Sequence, residues 1–162
     1  METISDKIET GQPFGLYDIL DELQTSVTAL EDADTAREVL DGVCGATIVV
    51  GATHTDTIAA TIQLTDYEGD DMAVAGCVKA FLASDAGGLN VNVTALTTEM
   101  SIGSDGSIAV LLASKNYLLI SEADGDIDIT MGYTTGAKDF YLVVVLPNGK
   151  RVVSTKFAFT AE

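Results

Sequence analysis

The chain has 162 residues, 47% of them apolar, and carries 25 acidic against 8 basic residues for a net charge of −17. That is enough apolar material for one packed domain and an appendage without disulfide or metal staples. A surface this negative repels phosphate backbones and anionic lipid, and no apolar run reaches the ~18 residues of a membrane span, so nucleic-acid and membrane partners are not expected.

The opening twenty residues, METISDKIETGQPFGLYDIL, are acidic and lack the basic and apolar regions of a secretory signal, so synthesis and retention in a cytoplasm is expected. From Pro13 to Asp41 the pattern is helical. Leu16, Ile19, Leu20, Leu23, Val27 and Leu30 recur at three- and four-residue steps and fall on one stripe of a helix. Asp18, Asp21 and Glu22 stand early, where the helix dipole favours anions. A second helical stretch is expected from Asp34 to Leu40, with Gly42 as its stop. A helix this short is marginal in water alone, so the apolar stripe is the candidate partner-binding element. Residues 1–42 are therefore expected to form an N-terminal helical arm, and residues 43–162 a separate β-domain.

After Val43 the period changes to two. Ile58, Ala60, Ile62 and Leu64 alternate with Thr57, Ala59, Thr61 and Gln63, which describes a strand with one buried face. The acidic turn 66–71 leads to a second strand over Met72–Leu82, with Gly76 marking a bulge. Further strands are expected at Val91–Leu96, Glu99–Ile102, Ile108–Leu112, Tyr117–Ser121 and Ile127–Met131, separated by Gly/Asp turns. Phe140–Leu146 and Val152–Phe159 flank Asn148-Gly149, a strong hairpin signal. Seven to nine short strands of this kind indicate an antiparallel β-sandwich. The run 142–146 is apolar without alternation and is expected to be covered on both faces, by the arm or by another subunit.

Chemistry is thinly supplied. Cys44 and Cys77 lie among small and apolar neighbours, read as free buried thiols. The single His54 sits in a polar stretch with no G-x-S-x-G elsewhere, so no enzyme and no catalytic residues are expected. Asp124, Asp126 and Asp128 place carboxylates at alternate positions, but an EF-hand loop opening at Asp124 would need Gly and Glu where Ile129 and Thr135 stand. Asp128 is instead expected to face solvent between buried Ile127 and Ile129, with no metal and no cofactor. Asn92-Val93-Thr94 matches a glycosylation sequon that has no meaning without secretion.

Two resemblances can be placed on these residues. Thr57–Leu64, the turn 66–71, Met72–Ala83 and Gly103-Ser104-Asp105-Gly106-Ser107-Ile108 are similar to the strand–turn–strand order of bacterial and phage immunoglobulin-like domains. The segment Leu119–Ile129, together with Tyr141–Lys150, resembles small virion proteins of tailed bacteriophages that join a variable N-terminal segment to a β-sandwich. The resemblance implies a capsid decoration (cement) or head-fibre protein, trimeric on the outside of the phage head, made in the host cytoplasm, and partnered by the major capsid protein. No catalytic residue comes with it. The alternative is an immunoglobulin-like adhesion module of a phage tail or bacterial surface, including a calcium-dependent form.

Overall fold

In the computed structural model, residues 20, 23–28 and 42–161 are described, and the chain divides into two compact units, Met1–Leu40 and Asp41–Glu162. In the first unit, residues 20 and 23–28 are helical, and the Thr28 hydroxyl donates back to the Gln24 carbonyl at 3.0 Å within the turn. The second helical stretch expected at Asp34–Leu40 lies outside the described residues.

The second unit is built from ten strands: β1 (Gly45–Val50), β2 (Thr57–Thr65), β3 (Cys77–Ala83), β4 (Thr98–Ile102), β5 (Ser107–Leu112), β6 (Asn116–Ile120), β7 (Asp126–Gly132), β8 (Lys138–Val145), β9 (Arg151–Val153) and β10 (Phe157–Phe159). They form two sheets. The first has the order β1-β2-β7-β4, and the second the order β10-β8-β3-β6-β5, with β9 also on β8. Every named pair is antiparallel. The fold is therefore mainly β.

The period-two reading holds where the core is made. Ile58, Ala60, Ile62 and Leu64 of β2 are buried, as are Ile127, Ile129 and Met131 of β7. From the other sheet they meet Val78, Ala80 and Leu82 of β3, Tyr117 and Leu119 of β6, and Phe140, Leu142 and Val144 of β8. At one end Tyr133, Phe140, Phe157 and Phe159 form an aromatic cluster with ring centroids 5.5–6.2 Å apart. Two turns depend on glycine. Gly125 (φ +85°) and Gly106 (φ +94°) lie where a Cβ would meet the Leu64 and Ile120 carbonyl oxygens at 2.7 and 2.8 Å.

Three expected strands come out differently. The segment 72–76 is irregular, and β3 starts at Cys77. Met72 donates its N–H back to the Leu64 carbonyl, and Gly76 passes so close to Val43 and Leu64 that no side chain fits. Gly76 is a close-approach residue rather than a bulge. Residues 91–96 form no strand either, because the Asn92 side-chain oxygen takes the Thr94 N–H at 3.0 Å and turns the chain. Asn92 is itself buried, which removes the sequon from any surface chemistry. The last strand splits into β9 and β10 at Ser154, whose hydroxyl accepts the Leu142 N–H at 2.9 Å in place of a ladder carbonyl.

The two sides of the sandwich close differently. On one side the chain leaves β1 and crosses to the second sheet, where His54 bridges to Phe159 and Thr160 donates to the His54 carbonyl at 3.1 Å. On the other side stand β4 and β5, the edge strands of the two sheets. Glu99 of β4 reaches over to the β5–β6 turn and accepts the Ser114 N–H at 2.7 Å, holding Ser114 at φ +54°.

Candidate protein-binding face

Sheet register fixes which side chains point outward. In β3, Cys77, Lys79 and Phe81 alternate with the buried core residues and pair across to Ile120, Leu118 and Asn116 of β6. Beyond β6, Ser107 and Ala109 of β5 lie opposite Ile120 and Leu118. On the far side of β3, Val145, Val143 and Tyr141 of β8 continue the same face, followed by Arg151 and Val153 of β9. From Ser107 to Val153 these positions carry the bases Lys79 and Arg151, and the acid of the same outward parity, Asp139, stands at the start of β8, where it pairs with Lys156 at 3.1 Å. Ile120 is exposed, Leu118, Phe81 and Val145 are half-buried, and the Cys77 thiol is exposed.

Both cysteines are free, as expected, but neither is buried: Cys44 is half-buried and Cys77 stands on this face. Alternation explains the difference, since Cys77 shares parity with Lys79 while Val78 takes the core position.

Part of the face is already covered. Val143 is fully buried yet lies outside the core cluster between the sheets. The loop 84–92 covers it, with Gly88 placed so that a Cβ would stand 2.9–3.0 Å from Val153 and Val143 side-chain carbons. Arg151 donates to the Gly88 carbonyl at 3.2 Å. Asp85 organises the strap by accepting the N–H groups of Asn90 at 2.7 Å, Gly87 at 3.1 Å and Leu89 at 3.3 Å. Those donors, Asn90 first, hold its carboxyl below the ordinary carboxylate range. The run 142–146 thus owes its second covered face, at Val143, to the domain's own loop rather than to the arm or another subunit. The strap in turn presents Leu89 and Val91 to solvent, and Val93 just after it is exposed as well.

The arm residues divide by what is described. Leu20, Leu23 and Val27 are exposed on the helix, whereas Leu16, Ile19 and Leu30 lie outside the described residues. The sheet face was missed from sequence although a signal for it exists. Tyr117-Leu118-Leu119-Ile120 and Ile108-Ala109-Val110-Leu111-Leu112 are apolar at both parities, the same signature that marks 142–146.

Elsewhere the polar groups singled out by the sequence are occupied locally. His54 is exposed, and its Nδ1 accepts the Asp56 N–H at 3.2 Å. The depression lined by Ser84, Ala137, Lys138 and Asp139 does not include it. Asp128 is half-buried between buried Ile127 and Ile129. It accepts the Thr61 hydroxyl at 2.7 Å and also that of Ser104, and these bonds, Ser104 first, lower its pKa. Asp126 is shifted the other way, by burial first and then by the charges of Asp128, Asp105 and Asp124. Among the described residues no three His, Cys, Asp or Glu side chains converge as a metal-holding group, and no helix is long and apolar enough to cross a membrane.

No family model and no curated protein matches the chain. A cohesin module from Clostridium perfringens, part of a family 33 glycoside hydrolase, is similar in structure at a TM-score of 0.43 and 14% identity, over 75% of this chain and 99% of that one.

Proposed function

We propose that this protein is a non-catalytic adhesion unit of a virion, an immunoglobulin-like sandwich that decorates the exterior of a phage head by binding the major capsid protein. The observation that carries the adhesive part of the reading is the apolar stretch of the second sheet's outer face around Cys77, Phe81, Leu118, Ile120 and Val145, whose acid, Asp139, stands apart at the start of β8 and pairs with Lys156. An apolar area in contact with water gains about 25 cal/mol for each Å² that a partner covers, and patches of this kind mark protein contacts. The acids concentrate elsewhere and keep the rest of the surface soluble and repelled from packaged genome. The virion part rests on the resemblance carried by Leu119–Ile129 and Tyr141–Lys150, segments that supply the β6–β7 turn region and β8 with its hairpin. The immunoglobulin-like reading is supported by the two stacked antiparallel sheets and by a first strand whose continuation joins the opposite sheet. The exposed stripe of Leu20, Leu23 and Val27 offers a second apolar contact.

Cys77 makes the proposal testable in the full chain. A bulky maleimide on Cys77, in a Cys44→Ser background, is expected to block co-sedimentation with capsid shells. The same label on Thr61→Cys, with both native cysteines replaced, sits on the opposite outer face and is expected to leave binding intact. Labelled Cys77 protein that still saturates the shells would falsify the role of this face. Unlabelled protein with no affinity for shells would remove the decoration reading and leave the adhesion module.

A further inference from the structure

We infer that β5 is a self-association edge, on which a second copy of this chain adds its own β5 in antiparallel register centred on Val110. Among the described residues β5 pairs with β6 alone, so one row of its backbone N–H and C=O groups faces outward without a strand partner. Edge strands in soluble proteins are commonly blunted by charge, proline or shortness. The neighbouring edge β4 follows that rule, being five residues long, irregular in register and marked by Glu99. The edge at β10 is met by the His54 crossing. β5 does neither. From Gly106 to Ser114 it has no charged residue and no proline. Its register shifts between Val110 and Leu112, which spoils the alternation, and Val110, Leu111 and Leu112 are 48%, 55% and 53% exposed in succession. A bulge that usually protects an edge here delivers three apolar side chains to it.

Charge selects the occupant and the register. The neutral edge is bounded by Asp105 at one end and Lys115 at the other, each five residues from Val110. Antiparallel pairing of two copies about Val110 carries the segment before β5, with Asp105, past the other copy's β5–β6 turn, which holds Lys115, so the two charges approach beyond the ends of the strands, twice by symmetry. It also sets Ile108 against Leu112 and Ala109 against Leu111. Lys115 has an acidic destination there, since Asp105 stands close enough to Asp126 and Asp128 to act on both carboxyls. A neutral strand on a chain of net charge −17 is where two such chains meet with least repulsion. The contact closes at two copies, which departs from the three implied by the virion resemblance. It is also separate from the capsid reading, because Cys77 labelling probes the face and β5 substitutions probe the edge.

The test is the mass of the full chain by sedimentation over a range of concentrations, with shell binding measured in parallel. The wild type is expected to reach twice the single-chain mass. Leu111→Lys should return it to one chain, with an unchanged circular dichroism spectrum showing that the fold persists. Lys115→Asp should weaken pairing by about tenfold, as two attractive ion pairs become repulsive, and adding Asp105→Lys to it should restore the pairing. A single-chain mass at every concentration, a trimer, a dimer indifferent to Leu111→Lys, or a charge swap that restores nothing would each overturn the inference. Loss of shell binding with the dimer intact bears on the capsid reading alone.

Discussion

The two outer faces of the sandwich are made by the same rule and have opposite chemistry. On the first sheet the outward positions are Thr57, Thr61 and Gln63 of β2 and Asp126, Asp128 and Thr130 of β7. These side chains bond to their own surroundings: Thr61 and Ser104 donate to Asp128, and Gln63 donates to the Asp124 carbonyl at 2.7 Å. On the second sheet the outward positions around Cys77, Phe81, Leu118, Ile120 and Val145 are apolar apart from Lys79, and the polar pairings lie at the margins, Arg151 on the Gly88 carbonyl and Asp139 on Lys156. Covering the first face would strip water from hydroxyls and carboxylates that are already satisfied, while covering the second removes apolar surface from water. The difference teaches where a partner belongs. It also shows that the covered part of the second face, at Val143, is core by another name.

The strongest way to break that comparison is to charge two neighbours on the outward side of β8. Val143→Asp places a carboxylate beneath the 84–92 strap, where Val143 is fully buried, and should cost about 3–4 kcal/mol of unfolding free energy. Val145→Asp, two residues along and half-buried, should cost about 1 kcal/mol. Urea denaturation of both variants measures the ratio. Equal losses would mean that the strap covers nothing.

A gentler probe lifts the strap itself. Gly88 has φ +62°, and an added Cβ would stand 2.9–3.0 Å from Val153 and Val143, so Gly88→Ala combines backbone strain with overpacking. A loss of about 2 kcal/mol is expected, with faster amide exchange across 84–92. Slow exchange there in a destabilised variant would place the damage outside the strap.

What the sequence made legible follows from how local each determinant is. The alternation of Ile58, Ala60, Ile62 and Leu64 and the Asn148-Gly149 turn act over a few residues, and β2 and the β8–β9 hairpin appear where they are expected. The break at Ser154 and the turn at Asn92 depend on side-chain oxygens that capture backbone N–H groups, a contest with the ladder that hydropathy does not record. The strap over Val143 was hidden for a different reason. Its cover comes from residues 84–92, and nothing in 142–146 states which distant segment will lie there. Of the candidate site, the helix stripe was readable from periodicity. The sheet face needed register, because outwardness of Leu118 and Ile120 is set by their pairing with β3.

On the polar face the corresponding probe is Asp128→Asn. The amide cannot accept both hydroxyls as a carboxylate does, and a loss of about 1 kcal/mol near neutral pH is expected for half-exposed hydrogen bonds. The pH dependence carries the sign. Bonding from Ser104 and Thr61 lowers the folded-state pKa of Asp128, so its contribution is present above the unfolded carboxylate value and is lost as pH falls through the folded one. Asp126, raised by burial, contributes with the opposite sign, regaining stability as it protonates. Replacing Asp128 should therefore flatten the acid limb of the stability curve. An acid limb as steep as that of the wild type would show that the Thr61–Asp128–Ser104 group contributes nothing.

The smallest effect is expected between the two faces, at Tyr117. Its hydroxyl is fully buried and, among the described residues, has no partner in hydrogen-bonding geometry, although the Glu99 carboxylate and the Met100 backbone lie close enough to act on it; burial first, then Glu99, pushes the phenol well above its ordinary pKa. Glu99 directs its oxygens to the Ser114 N–H at 2.7 Å and hydroxyl at 3.4 Å, so the phenol is the group left over. An unsatisfied buried hydroxyl costs about 1–3 kcal/mol of desolvation, and Tyr117→Phe removes that cost while keeping the ring in the core. The variant should be as stable as the wild type or more stable by up to about 1 kcal/mol, read from the urea midpoint at constant slope. A loss of 1 kcal/mol or more would instead mean that the hydroxyl is bonded in solution, through water or through a shift of Glu99. The open side of the sandwich, where β4 meets β5, would then be held by a polar link between the sheets rather than by packing alone.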